Sequence, residues 1–488
     1  MSNIRTRFAP SPTGYIHIGN VRAALTPFLI ARHAKGSFIL RIEDTDRARY
    51  VPEATAIIMD TLSWLGLSWD EGPISGTEKD GEWQQKGAFA PYFQTQRQDL
   101  YIEWAKKLIK KGRAYADPYT PEQVQKFRES DQAGKIPFLF RNHRPDNPPD
   151  WHPGLPLRFK TEPKNYSWHD EVFGDLSSTP EVLDDIILIK SDGLPTYNFA
   201  HIIDDQEMQC TYITRGMEYL SSMPNYMALY EALEIAPPQF VHLPHILAPG
   251  GKKKLGKRDG AKSVTEYRAD GILPEAMVNF LALLGWNDGT EQEIFSMDDL
   301  IEKFTIDRIQ KSPANFDETK LLWLNGQWIR RLPLDDLLQR AADFWPESAA
   351  KYDDTYKKQV LEIIYDRLKT LSDLTTFTTY FFADPTIDTQ MLTSNKFLKD
   401  LPNPELINLL QACITDLSAS QWDKASLQDT LNNLLAKTGQ KPATLFSLIR
   451  IAISFAPFSP ALNDTLSVLG NKTSLSRLTK TLEVLSTH

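Results

Sequence analysis

Two short stretches of this chain carry residue types suited to handling phosphate, and they stand more than two hundred residues apart. The first, RFAPSPTGYIHIGN from Arg7 to Asn20, holds His17 between Gly14 and Gly19. The second, KLGKR from Lys254 to Arg258, lies in a lysine run bracketed by Gly250, Gly251, Gly256 and Gly260. A histidine at a turn can donate a hydrogen bond to charge developing on a phosphoryl oxygen, and flexible ammonium groups can neutralise phosphates as a leaving group departs. No core buries such a run of lysines without partners, so it reads as a basic surface loop. For Lys252 and Lys253 a solvated face is sufficient explanation. For Lys254 and Lys257 the reading is phosphate contact.

These residues need elements to place them. Residues 5–10 read as a short strand and 21–35 as a helix stopped by Gly36, which makes the first motif a strand-to-helix turn. At such a turn the free N–H groups of the helix face outward and favour phosphate, while Gly14 and Gly19 permit tight backbone. Residues 38–42 form an almost continuous apolar run, as in a strand covered on both faces. That strand delivers RIEDTDRARY, with Glu43, to its carboxyl end, where an open parallel sheet binds ligands. Residues 186–205 repeat the design with a buried strand, a turn at Asp192 and Gly193, and a polar edge. TYITRGMEYL, with Arg215 and Glu218, follows.

APSPTG, RIEDTDR, DGLPTYNFA and KLGKR, in this order, resemble the motifs of bacterial-type glutamyl-tRNA synthetases. In such class I enzymes an HIGH-type turn and a KMSKS-type loop close on ATP. The resemblance runs along the N-terminal two thirds of the chain. Glutaminyl enzymes carry Glu-Pro-Asn where this chain has Ser11, Pro12 and Thr13, which favours the glutamyl type. The resemblance implies that Arg7, Ser11, Glu43, Tyr197, His201 and Arg215 surround the amino acid. It places His17, Gly19, Asn20, Glu218, Lys254 and Lys257 beside ATP, with His17, Lys254 and Lys257 carrying catalysis. The chemistry agrees, since glutamate needs guanidinium for its carboxylates and a carboxylate for its amine. Taken alone, Tyr197 and Tyr219 are equally well explained by core packing. Three positions depart from the common pattern: His201 replaces an Asn, Met217 an acidic residue and Gly256 a Ser. The resemblance further implies Mg²⁺ on the ATP phosphates, a glutamyl-adenylate intermediate and tRNA(Glu) as partner.

At 488 residues the chain is long enough for several domains. No apolar run is long enough to span a bilayer and the N-terminus lacks a signal peptide's apolar segment, so a cytoplasmic protein without a membrane partner is expected. The two cysteines, Cys210 and Cys413, have no zinc-ligand spacing. Some relatives hold a cysteine-ligated zinc in the acceptor-binding insertion, but GRAYADPYTPEQ contains no cysteine, so no zinc is expected. A net charge of −9 and a pI near 5.6 argue only weakly against a nucleic-acid partner. A local basic track is enough, and residues 141–144, 252–258 and 330–331 are its candidate pieces.

The organisation expected is an α/β Rossmann-like catalytic domain over residues 1–100 and 183–236, without a dinucleotide glycine fingerprint. An α+β acceptor-end-binding insertion is expected over 101–182, a stem-contact segment with the KLGKR loop over 237–331, and an all-α anticodon-binding region over 332–488. Past residue 332 the apolar periods are helical: Ile364, Leu368 and Leu371 fall on one face, as do Leu406, Leu409, Leu410 and Ile414. The absence of convincing strands separates this region from glutaminyl enzymes with β-barrel anticodon domains. IIYDRLKTLSDL resembles the segment whose arginine reads the last anticodon base, here Arg367; a surface ion pair to Asp366 or Asp373 is the competing reading. An enzyme charging both tRNA(Glu) and tRNA(Gln) differs only in that anticodon contact. A catalytically silent tRNA-binding protein is the alternative of another class, opposed by the joint presence of His17, Lys257, Arg7 and Arg215. The family expectation for oligomeric state is a monomer.

Overall fold

All four residues of the first strand, β1 (Arg5–Phe8), are buried although two of them are arginines. Such burial requires partners, and both arginines have them: Arg5 pairs with Glu71 at 2.7 Å and Arg7 with Asp205 at 3.0 Å. The structure, a computed structural model, describes residues 4–14, 16–76, 83–256, 262–456 and 459–487.

After β1 the chain enters α1 (Ile18–His33) and returns as β2 (Ser37–Leu40), parallel to β1 with Arg5 opposite Ser37 and Phe8 opposite Leu40. The helix starts three residues before the sequence pattern indicates, because His17 caps it with its own ring. At the far end the left-handed turn is taken by Lys35, φ 54°, not by Gly36. Gly36 serves close approach instead: a Cβ there would lie 2.1 Å from the carbonyl oxygen of Ile4, which accepts from Ser37 N–H at 2.8 Å.

Four more strands complete the main sheet: β3 (Tyr166–Asp170), β4 (Gly174–Ser178), β5 (Tyr212–Gly216) and β6 (Gln239–Leu243). The spatial order is β2-β1-β5-β6-β3-β4, parallel throughout except for the antiparallel β3–β4 hairpin at the edge. From β1 the chain winds outward to β2, and from β5 it winds the other way to β6. The winding reverses between β1 and β5, where an open α/β sheet leaves a crevice at the carboxyl ends of its strands. The apolar strand read near residue 186, Ile187–Ile189, lies elsewhere, in a three-stranded antiparallel sheet with Leu157–Phe159 and Ala114–Ala116. Two helices, α2 (Tyr197–Glu207) and α3 (Met223–Leu233), flank β5 in sequence and bury most of their residues.

The chain divides into two compact units, Met1–Tyr267 with Met277–Glu318, and Arg268–Ala276 with Thr319–His488. The second unit contains helices and no strand among the described residues. Its helix Asn403–Ser418 buries Leu406, Leu409, Leu410, Cys413 and Leu417, with Ile414 only partly covered. Ile364, Leu368 and Leu371 are all buried, but they do not share a helix face. The helix Asp354–Ile364 ends, a single 3₁₀ turn Tyr365–Arg367 follows, and Leu368 is extended. The Asp373 carboxylate then accepts from Lys369 and Thr370 N–H at 2.8 and 2.9 Å, which stabilises a turn where the period alone indicates continued helix. Among the described residues no helix is long and apolar enough to cross a membrane.

Candidate active site

A cavity of about 380 Å³ opens at the carboxyl ends of β1 and β5. Its wall includes Arg7, Ser11, His17, Gly19, Asn20, Glu43, Tyr197, Arg215, Glu218 and Lys254. The sequence-derived residues therefore meet at the reversal of winding, with three exceptions. His201 lies one layer behind the wall, Arg367 is in the other unit, and Lys257 lies outside the described residues.

His17 is the N-cap of α1. Its Nδ1 accepts the Gly19 N–H at 3.0 Å, and the Asn20 side-chain oxygen accepts the His17 N–H at 3.2 Å, a reciprocal capping box. An Nδ1 that accepts leaves the proton of the neutral ring on Nε2, the tautomer able to donate to a phosphoryl oxygen. The cap also satisfies the Gly19 N–H that the sequence reading left free for phosphate. Gly14 adopts φ 139°, as its place in the turn requires. Gly19 is helical, and its contribution is room: a Cβ there would lie 2.9 Å from His17 Cε1.

The basic loop is anchored on both sides of its undescribed residues 257–261. Before them, Ala248 N–H donates to Lys253 O at 2.8 Å and Leu255 N–H to Ile246 O at 2.8 Å. After them, a backbone bridge pairs Ser263 with His17, and Val264 N–H donates to Ile16 O at 3.1 Å. The two phosphate-type motifs are thus neighbours through their backbones. Lys254 donates to Glu218 at 2.9 Å, and His245 lies 3.6 Å from the same carboxylate. Burial alone raises a carboxyl's pKa, yet the hydrogen bond from Lys254 holds Glu218 below its ordinary range. Met217 does not line the cavity, whereas Glu218 and Tyr219 do.

The two arginines of the wall differ in charge balance. Arg7 is neutralised: Asp205 receives its Nε at 3.0 Å, and its Nη1 donates to the Thr214 carbonyl at 3.1 Å. Arg41 reinforces the same carboxylate at 2.7 Å and also donates to Glu43 at 3.0 Å. Burial opposes ionisation of Asp205, but the charges of Arg41 and Arg7 hold its carboxyl well below the usual range. For Glu43 burial prevails over the same two arginines and pushes its pKa up to about 7. Arg215, by contrast, forms no ion pair with a carboxylate among the described residues. Its Nε donates to His242 at 3.1 Å, one terminal nitrogen faces His201 Nε2 at 3.3 Å and the other meets the Met223 sulfur at 2.8 Å. Tyr226 lies 4.8 Å from its guanidinium.

Burial lowers the pKa of both histidines beside this cation. His201 donates from Nδ1 to the Tyr197 carbonyl at 2.8 Å, which leaves Nε2 as an acceptor toward Arg215. Burial, then the charge of Arg215, brings its pKa down to about 3. Its ring stacks on Tyr197 at 4.7 Å, so it supports the wall that Tyr197 forms. A buried guanidinium whose acceptors are neutral favours an anion in the space it faces. The cavity therefore offers an anion-seeking arginine, a carboxylate in Glu43, a histidine donor and a lysine.

Arg41, Asp204, Asp205, Asp170 and His242 are the residues that sequence reading passed over. The available signal was the acid pair Asp204–Asp205 ending an apolar helix segment: both are buried, and Asp205 lies one helical turn after His201. In the second unit Arg367 is exposed and donates to the Ser459 carbonyl at 3.0 Å. Asp373 is engaged with backbone N–H groups instead of Arg367.

Comparison with known proteins agrees with this geometry. Residues 3–323 match the family model "tRNA synthetases class I (E and Q), catalytic domain", and residues 336–482 match "Anticodon binding domain". The chain is 38% identical over 493 residues to a glutamate–tRNA ligase of Dehalococcoides mccartyi, covering 99% of each chain. It is 39% identical over 487 residues to one of Clostridium botulinum, covering 98% of this chain and 97% of the relative. Among solved structures, a glutamate tRNA ligase of Elizabethkingia meningosepticum in complex with its amino acid superposes with a TM-score of 0.88 at 31% identity, covering 99% of this chain and all of that one. The glutamate-tRNA synthetase of Elizabethkingia anophelis gives 0.85 at 30% identity, with the same coverage. With its parallel catalytic sheet, reversed winding and helical C-terminal unit, the chain belongs to the class I tRNA synthetases of the E and Q type, in the glutamyl-tRNA synthetase branch that its motifs resemble.

Proposed function

We propose that this chain attaches L-glutamate to tRNA(Glu) in two steps within the cavity between β1 and β5. The observation that carries the reading is that Arg215 has no direct carboxylate partner among the described residues, which suits it to a carboxylate of the amino acid. Glu43 takes the amine, and Arg7, already neutralised by Asp205, shapes the wall with Ser11 and Tyr197. In the first step the glutamate α-carboxylate attacks the α-phosphorus of ATP, and the bond to the β-phosphate breaks to release pyrophosphate. His17 donates from Nε2 to a phosphoryl oxygen, while Lys254 and Lys257 neutralise the phosphates. Gly19, Asn20 and Glu218 border the nucleotide. In the second step a ribose hydroxyl of the terminal tRNA adenosine attacks the adenylate carbonyl and AMP leaves. The resemblance makes this the 2′ hydroxyl.

Mg²⁺ enters as part of the ATP substrate. Among the described residues no three His, Cys, Asp or Glu side chains gather to hold a metal by themselves, and a phosphate-borne Mg²⁺ needs few protein ligands. Cys210 and Cys413 are both buried and form no disulfide. The acceptor end of the tRNA is assigned to residues 101–182, its stem to 237–331 and its anticodon to 332–488. A monomer acting in the cytoplasm goes with this reading.

The choice of tRNA rests on Arg367, exposed and tied by one N–H to Ser459. A guanidinium that takes a base edge with two donors restricts charging to tRNA(Glu), and one that meets only phosphate admits tRNA(Gln) as well. Attachment of labelled glutamate to each tRNA separately, with ATP and Mg²⁺, tests the proposal. Charging of tRNA(Glu) alone is the expected result, charging of both identifies the non-discriminating enzyme, and charging of neither removes the proposed function.

A further inference from the structure

The cation that selects the amino acid is itself held by two residues that the reaction does not touch. Arg215 on β5 is the register partner of His242 on β6, and Asp170 closes β3 on the next strand, level with Phe240. Asp170 and His242 are both fully buried. The carboxylate of Asp170 is fixed by its own turn: Oδ1 accepts from Val172 and Phe173 N–H at 3.0 and 2.9 Å. Oδ2 lies 2.6 Å from His242 Nδ1 and 3.3 Å from the His242 backbone nitrogen. With Nδ1 donating to Asp170, His242 Nε2 carries a lone pair, and it receives Arg215 Nε at 3.1 Å.

We infer that Asp170 and His242 form a positioning pair that aims the Arg215 guanidinium at the amino acid's carboxylate without neutralising it. The inference rests on the reading of Arg215 as the carboxylate partner of glutamate. A carboxylate placed directly on Arg215 would orient it equally well but would cancel the charge that the substrate needs, as Asp205 does for Arg7. An imidazole between the two separates the tasks. Its neutral Nε2 orients the guanidinium, and Asp170, one residue further away, fixes which ring nitrogen holds the proton. The arrangement follows the logic by which an aspartate sets a histidine's tautomer in hydrolase triads.

This predicts a pattern that packing alone does not give. Asp170→Asn presents an amide N–H to His242 Nδ1, moves the ring proton to Nε2 and sets donor against donor at Arg215. Its glutamate KM is expected to rise by about ten- to a hundredfold, with the KM for ATP within about twofold, the scale of one hydrogen bond to a charged group. His242→Asn, which keeps the donor toward Asp170 but loses the acceptor, is expected to match it. His242→Gln supplies an amide oxygen near the Nε2 position and restores the KM to within about threefold of native. Since glutamine has no tautomer to flip, Asp170→Asn adds nothing in the His242→Gln background. A native glutamate KM in folded D170N, or an equal penalty from D170N in both backgrounds, overturns the inference. Should D170N fail to fold, equal glutamate KM values for H242N and H242Q overturn it equally. Arg215→Ala run alongside separates the two layers: if it loses glutamate use while D170N is native, only the positioning pair fails, and if it keeps a native KM, the reading of Arg215 fails first.

Discussion

The Nζ of Lys254 lies 2.9 Å from Oε1 of Glu218, an ion pair that joins the basic loop to the end of β5. Glu218 folds back over Gly216 so closely that a Cβ at Gly216 would lie 2.0 Å from its other carboxylate oxygen. For Lys254 to serve ATP it exchanges this carboxylate for phosphate, one anion for another, at an exposed position where the pair itself contributes little stability.

Lys254→Ala should therefore leave the fold and the glutamate KM unchanged while slowing adenylate formation by about a hundredfold, the usual cost of one charge-stabilising donor. ATP–pyrophosphate exchange with tRNA present measures it. Unchanged exchange would remove Lys254 from the phosphate site. Lys257→Ala should behave in the same way.

Gly19→Ala tests the His17 cap. A Cβ at position 19 would meet the His17 ring at 2.9 Å, so the ring must turn away from the Gly19 N–H. Loss of the cap costs on the order of 1 kcal/mol and offsets alanine's helix-propensity gain of roughly 0.5–1 kcal/mol, so the melting temperature should change little while adenylate formation falls at least about tenfold. A fully active variant would show that the ring's position in the cap is immaterial.

Glu43 predicts a pH dependence of definite sign. Its pKa stands near 7, above the ordinary 4.5, because burial opposes its charge more strongly than Arg41 and Arg7 favour it. The folded protein thus retains a proton that the unfolded chain releases. This contribution to stability is fully present below about pH 4.5 and is lost as pH rises through 7. If Glu43 takes the amine as proposed, glutamate binding runs the other way, since the amine needs the carboxylate. The glutamate KM should fall about tenfold between pH 6 and 8, following the ionised fraction, and in Glu43→Gln it should be high and flat. A native profile in Glu43→Gln would assign the dependence to another group.

Much of the cavity wall was legible in the sequence because its residues sit in loops after strands, where motif and chemistry coincide: Ser11 and His17 after β1, Glu43 after β2, Glu218 after β5. The layer behind the wall was not. Asp170, His242, Arg41 and Asp205 are buried within or beside strands and in a helix, where apolar periodicity carries no information about which distant strand faces a polar side chain. Only the register of β3, β6 and β5 sets Asp170 beside Phe240, within reach of His242, and His242 beside Arg215. Lys35 and Gly36 show the same limit at smaller scale, since a glycine needed for close approach to Ile4 reads in sequence as a helix stop. In the helical unit, Leu368 is buried outside a helix, because the turn held by Asp373 is a local hydrogen-bond choice that hydrophobic spacing does not encode.

Selection of the amino acid by Arg215, whose guanidinium meets no carboxylate among the described residues, is tested by glutamate-dependent charging of tRNA(Glu) by the native chain and by Arg215→Ala. Saturable charging is expected of the native chain and, in a folded Arg215→Ala, a glutamate KM raised at least about a hundredfold with the KM for ATP little changed, as for loss of a buried charged pair. A glutamate KM within twofold of native in that variant would show that Arg215 does not hold the amino acid's carboxylate.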